Sequence, residues 1–178
     1  MNIKNQDIIL YELEKIESRT GKIEKSIIDE WKELEKKGKQ IAVISYKNIS
    51  YIVGLLQVVG CLEPIIIAEN GGSIQVGLNN PPSFFLRMIP TEEEKSELKE
   101  IKKSILQKFS QVWFMENEVI LGVYAANLQE VEKLERYIFN LGKELNNVYI
   151  HKIKDSIYII PKSITVQRAI ENISSEGR

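Results

Sequence analysis

Pro64-Ile65-Ile66-Ile67-Ala68-Glu69-Asn70-Gly71-Gly72-Ser73-Ile74-Gln75-Val76 decides how this chain is read. Ile65 to Ala68 make a short, wholly apolar, mostly β-branched run, the pattern of a strand buried on both faces of a sheet. The run ends abruptly in Glu69-Asn70-Gly71-Gly72, a polar turn whose glycines accept backbone conformations closed to other residues. A buried strand ending in this way delivers its turn to the carboxyl edge of a sheet, where open α/β sheets hold their ligands. Upstream, Ile41-Ala42-Val43-Ile44-Ser45 is a second such run with the same implication.

Helical signals separate these strands. Ser26 can cap a helix to about Lys37 in which Ile27, Ile28, Trp31 and Leu34 recur at helical spacing, with Gly38 as a left-handed stop. Asn48 can cap a second helix whose stripe of Ile49, Ile52, Val53, Leu56 and Val59 ends near Gly60. Ile8 to Tyr11 is a further strand candidate, and Glu12 to Lys25 receives no assignment. Strand, helix, strand, helix, strand with short joins predicts right-handed crossovers and a parallel sheet with covered faces.

Gly77 to Ser83, with Asn79-Asn80-Pro81-Pro82 inside it, is the strongest linker signal. It divides the chain into a first α/β part over 1–79, an α+β module over 80–160 and a returning helix and tail over 161–178. In the module, Thr91 with Glu94 forms a capping box for a helix to about Phe109, and Asn127 with Glu130 starts a helix that stops at Gly142. Val112 to Met115 and Val119 to Tyr124 read as one hairpin, Val148 to Ile153 and Ile157 to Ile160 as another around Lys154-Asp155. Ile164 to Ile173 is the last helix.

Composition narrows the classes. The 178 residues carry 24 basic and 25 acidic side chains, so no overall field draws the chain to nucleic acid or an anionic membrane. No apolar run approaches the ~18 residues of a membrane span, and no signal core opens the sequence; a cytoplasmic protein is expected. The single cysteine, Cys61, sits between Gly60 and Leu62 as an apolar filler. His151, flanked by Ile150 and Lys152, reads as structural because no companion ligand lies near it. Trp113, Phe114, Phe84 and Phe85 read as packing, since no arginines interleave them as in a stacking platform.

Two places carry more chemistry. Ser45-Tyr46-Lys47-Asn48 follows a buried strand and opens a helix, which would bring a hydroxyl, an ammonium and free helix N–H groups together as an anion cradle; Ser45 and Asn48 are equally ordinary cap and turn residues. Glu12-Leu13-Glu14 places two carboxylates at the end of the first strand, a pair able to hold magnesium.

The order of these elements, with Ile41 to Ser45, then Ile65 to Ile74, then an inserted α+β module, resembles the haloacid dehalogenase superfamily of phosphatases. The pattern is most similar to archaeal-type phosphoglycolate phosphatases and to mannosyl-3-phosphoglycerate and sucrose-phosphate phosphatases. Ala68-Glu69-Asn70-Gly71-Gly72 is its most specific piece, and Val119 to Ile160 resembles part of their cap domain. The resemblance implies an incomplete Rossmann-like core with a parallel sheet and an inserted cap with an antiparallel sheet. It also makes Glu69, Asn70, Gly71 and Gly72 a turn at the core-to-cap junction.

In this family one strand ends in Asp-x-Asp-Gly-Thr, where the first aspartate attacks phosphorus and the second is general acid and base beside Mg²⁺. The matching stretch is Tyr11-Glu12-Leu13-Glu14-Lys15-Ile16, so glutamates replace both aspartates and Lys-Ile replaces Gly-Thr. An added methylene shifts a nucleophile by roughly 1 Å, a misplacement that can cost ~10²-fold. The family's phosphate-binding Ser or Thr is kept as Ser45, with Lys47 placed to assist. The family's lysine after the cap falls on Val166, with Lys162 and Arg168 as imperfect substitutes, and its acidic magnesium loop would lie beyond the last helix, where the sequence stops. The resemblance therefore implies a truncated, degenerate member, without phosphatase activity, that acts by binding a phosphorylated small molecule or by assembly. Self-association or a partner chain is expected at the edge of Ile8 to Tyr11. The alternative is a Mg²⁺-dependent phosphatase of a small phosphorylated sugar or acid using Glu12 and Glu14, completed by another chain or by the rest of a longer product.

Overall fold

The computed structural model describes residues 8–176 apart from 19, 62 and 126. Two compact units divide the chain: residues 1–87 with 165–178, and residues 88–164. The first division thus falls beyond the Gly77 to Ser83 stretch, because Phe84 to Arg87 pairs with the sheet of the first unit.

That sheet has five strands in the order β1 (Ile8–Glu12), β2 (Gln40–Ile44), β3 (Ile65–Ala68), β4 (Ser73–Val76) and β5 (Phe84–Arg87). β1, β2 and β3 are parallel, as expected, whereas β4 and β5 are antiparallel additions. The reversal lies in the decisive stretch itself. Glu69, Asn70 and Gly71 form a 3₁₀ turn with φ of 51°, 57° and 98°, left-handed conformations that fold the chain back upon β3. A Cβ at Gly71 would fall 2.5 Å from the Thr165 carbonyl oxygen, so glycine is required by both torsion and space.

Helices cover both faces. α1 (Leu13–Ile16) occupies part of the segment left unassigned by sequence, α2 (Lys25–Lys36) follows, and α3 (Ile49–Val59) joins β2 to β3. Ile41 and Val43 of β2 pack with Trp31 of α2 and with Ile52 and Leu56 of α3. On the other face Ala42, Ile44, Ile65 and Ile67 pack with Ala169 and Ile173 of α6 (Val166–Glu176). Ser26 does not cap α2: the helix begins one residue earlier, and Glu24 precedes it without a side-chain cap. Asn48 does cap α3, accepting from Tyr51 N–H at 2.8 Å, and Gly60 ends it at φ 81°.

The second unit holds an antiparallel sheet in the order β6 (Val112–Phe114), β7 (Leu121–Ala125), β9 (Ser156–Pro161) and β8 (Val148–Ile153). α4 (Glu92–Lys108) and α5 (Leu128–Gly142) contribute Ile101, Ile105, Leu134 and Ile138 to a core shared with Val123, Ile157 and Ile159. The Thr91/Glu94 capping box forms as its spacing predicts. Glu94 is buried because it also accepts from the Ser163 amide and hydroxyl, tying the start of α4 to the chain beyond β9. Gly142 closes α5 for a different reason from the expected left-handed stop. The next residue, Lys143, is right-handed, while a Cβ at 142 would fall 2.1 Å from Cδ1 of Ile150.

Candidate functional site

β1 and β2 run parallel in register, with Glu12 beside Ile44, so the residues after both strands meet at the carboxyl edge of the sheet. The backbone there is closed by Ser45 N–H to Ile67 O at 3.0 Å, Asn70 N–H to Ser45 O at 3.0 Å and Glu69 N–H to Lys47 O at 3.1 Å. Ser45 and the Glu69 to Gly72 turn are thereby assembled on neighbouring strands. Ser45 is fully buried and Glu69 only 1% exposed.

The Ser45 hydroxyl donates to Glu14 Oε1 at 2.6 Å, and the Tyr46 N–H donates to the same oxygen at 3.0 Å. Lys47 N–H donates in turn to Ser45 Oγ at 3.1 Å, polarising the hydroxyl toward the carboxylate. The Ser45 hydroxyl and the Tyr46 amide thus converge on one carboxylate oxygen from α1, whereas the Lys47 ammonium, expected beside them, is engaged elsewhere. Beside it, the Lys47 ammonium pairs with Glu17 Oε2 and stands 4.1 Å from the centre of the Tyr51 ring, while the Tyr51 hydroxyl donates to Glu17 Oε1. Burial works against the Lys47 charge, but its contacts with Glu17 and Tyr51 outweigh that and hold its pKa above the ordinary value of 10.5. Burial and the bond to Glu17 together raise Tyr51 from 10.0.

Glu12, at the expected nucleophile position, pairs instead with Lys15 at 2.8 Å; both side chains are more than half exposed. Lys162 lies in the second unit, where its ammonium donates to the Asn146 carbonyl at 2.6 Å. Gly71 lies against Thr165, the first residue of the returning segment of its unit. Cys61 is buried, and burial, with a smaller push from Glu35, raises its thiol to about 12, in keeping with a filler. His151 and Trp113 are exposed.

Glu12 and Glu14, the expected magnesium pair, are engaged by separate partners. Glu12 answers to Lys15 and Glu14 to Ser45 and Tyr46, and among the described residues no group of three or more His, Cys, Asp or Glu side chains is placed to hold a metal. Glu17 and Tyr51 escaped sequence reasoning. Glu17 lies in the unassigned segment, and the only available signal was the four-residue spacing of Lys47 and Tyr51, which can bring two side chains together on one face.

No protein-family model matches the chain, and no curated protein matches it in sequence. Solved structures do match in fold. A haloacid dehalogenase-like hydrolase from Bacteroides thetaiotaomicron shares 9% identity at a TM-score of 0.67, over 97% of this chain and 77% of its own. The C-terminal domain of trehalose-6-phosphate phosphatase from Candida albicans shares 12% at 0.69, over 93% and 61%. The C-terminal domain of the trehalose synthase regulatory protein of the same organism shares 16% at 0.61, over 96% and 61%. The chain thus spans less than two thirds of each of the latter two. Its fold is similar to that of the haloacid dehalogenase-like hydrolase, with one α/β unit and a separate α+β unit. No helix among the described residues is long and apolar enough to cross a membrane.

Proposed function

We propose that this protein does not hydrolyse phosphate esters and works by binding. One observation carries the reading: Glu14, at the position of the family's general acid and base, is held by the Ser45 hydroxyl and the Tyr46 amide. A carboxylate that accepts the cradle's own donors competes with phosphate for them and is turned away from a leaving group. Glu12, exposed and paired with Lys15, is equally poorly disposed to attack. Of the similar folds, one belongs to a phosphatase and another to a regulatory protein; the side-chain pairing here favours a use of the second kind. Purified protein incubated with Mg²⁺ and p-nitrophenyl phosphate is expected to show no turnover. Turnover abolished by Glu12→Ala would overturn the reading in favour of a Mg²⁺-dependent phosphatase.

A separate observation favours assembly as the mode of binding. β1 ends the five-strand order, and among the described residues no strand pairs with its outer edge. On it Ile8 is 45% and Leu10 49% exposed. An apolar strand with one open edge is a template for another strand, from a second copy or a partner chain. Light scattering is expected to find a species larger than the monomer, and Leu10→Lys to shift it toward the monomer; a monomer at all concentrations would overturn this reading.

A further inference from the structure

We propose that Glu14 is an internal occupant of an oxyanion site, and that a phosphate-class ligand enters only by displacing it. The inference rests on the reading of Glu14 as withdrawn from catalysis and deepens it by saying what the carboxylate does instead.

Three features of the site converge. First, the site is built: a fully buried hydroxyl and a main-chain amide aim at one oxygen, the hydroxyl at 2.6 Å, the distance of a charge-assisted hydrogen bond, and the amide at 3.0 Å, an ordinary one. Second, the remaining cation has been neutralised separately, since Lys47 is engaged by Glu17 and Tyr51. The local charge of Glu14, Glu17 and Lys47 is therefore one negative unit, which repels a further anion for as long as Glu14 is present. Third, the segment that carries the occupant is attached at separate points. Leu13 is fully buried, Glu17 is locked by Lys47 and Tyr51, and the carboxylate of Glu14 joins α1 to Ser45 and Tyr46. Removing that carboxylate leaves the anchors in place and leaves a buried hydroxyl and an amide without their acceptor, which an oxyanion of similar size can supply. No covalent step is involved; one oxygen acceptor replaces another.

The test is a titration of ¹⁵N-labelled full-length protein with inorganic phosphate, following the Tyr46 and Lys47 amides. In Glu14→Ala, where alanine keeps the helical preference of α1, both amides are expected to shift saturably, with affinity at least about tenfold above that of the unaltered protein. Adding Ser45→Ala is expected to remove the gain. A dispersed spectrum certifies folding; should Glu14→Ala lose it, Glu14→Ser, which likewise removes the carboxylate, is read in the same way. Equal phosphate affinity with and without the Glu14 carboxylate, or no saturable shift in a folded variant, would overturn the proposal. Turnover of p-nitrophenyl phosphate by the unaltered protein bears on the non-hydrolytic reading alone, so the two failures are told apart.

Discussion

Glu17 and Lys47 form an ion pair whose side chains are 5% and 23% exposed, whereas Glu12 and Lys15 are 52% and 72% exposed. Stripping one partner from the first strands a desolvated charge, at a typical cost of ~3–5 kcal/mol; the second lies in water and contributes ~0–1 kcal/mol. Glu17→Gln is therefore expected to lower the urea-unfolding free energy by about 3 kcal/mol and Lys15→Ala by less than about 0.5 kcal/mol. Similar losses from both would show that the pairs are equally solvated.

The titration of Lys47, Tyr51, Tyr11 and Cys61 points to alkaline sensitivity. Lys47 and Tyr51 are raised from 10.5 and 10.0, Tyr11 from 10.0 to about 12 by burial and its bond to Glu30, and Cys61 from 9.0 to about 12 by burial. In each case the folded protein holds the proton more tightly than the unfolded chain. Their contribution is complete below the unfolded values and is lost as pH climbs from 9.0 toward about 12. Unfolding free energy measured near pH 8 should exceed that near pH 10.5, and an unchanged or higher value at the upper pH would contradict these assignments.

At the level of elements, two glycines test two kinds of crowding. Gly142→Ala gains up to ~1 kcal/mol of helix preference but meets the flexible end of Ile150, an overpacking of ~1–3 kcal/mol, so a small net loss is expected. Gly71→Ala meets the Thr165 main chain, which has no rotamer to yield, at a φ of 98°. A loss of ~2–4 kcal/mol in thermal or urea unfolding should set it apart from position 142. Elements were legible in the sequence wherever their chemistry was local. Asn48, Thr91 and Asn127 cap helices within three residues of themselves, and the Lys154-Asp155 turn joins adjacent strands. The direction of β4 was not legible, because it follows from left-handed torsions at Glu69 and Asn70, residue types that also occur in turns that do not reverse a strand. The position of Ser45 at the site was readable from the strand that carries it. The occupant of its cradle was not, since Glu14 lies 31 residues earlier and the bond depends upon α1, for which the charged segment offered no periodic signal.

For the molecule as a whole, the continuity of the chain matters as much as its contacts. The unit spanning 88–164 is one uninterrupted segment, whereas the other is assembled from 1–87 and 165–178. Its sheet face formed by Ala42, Ile44, Ile65 and Ile67 is covered by Ala169 and Ile173 of α6, and its reversing turn rests against Thr165. In order of synthesis every residue of the 88–164 unit is therefore present before the other unit can be completed, and the apolar face of that other unit stays uncovered until α6 follows. A purified fragment ending near residue 164 should protect residues 88–164 against protease while leaving residues 8–87 open to cleavage, and protection of the early segment should appear only in a fragment that includes α6.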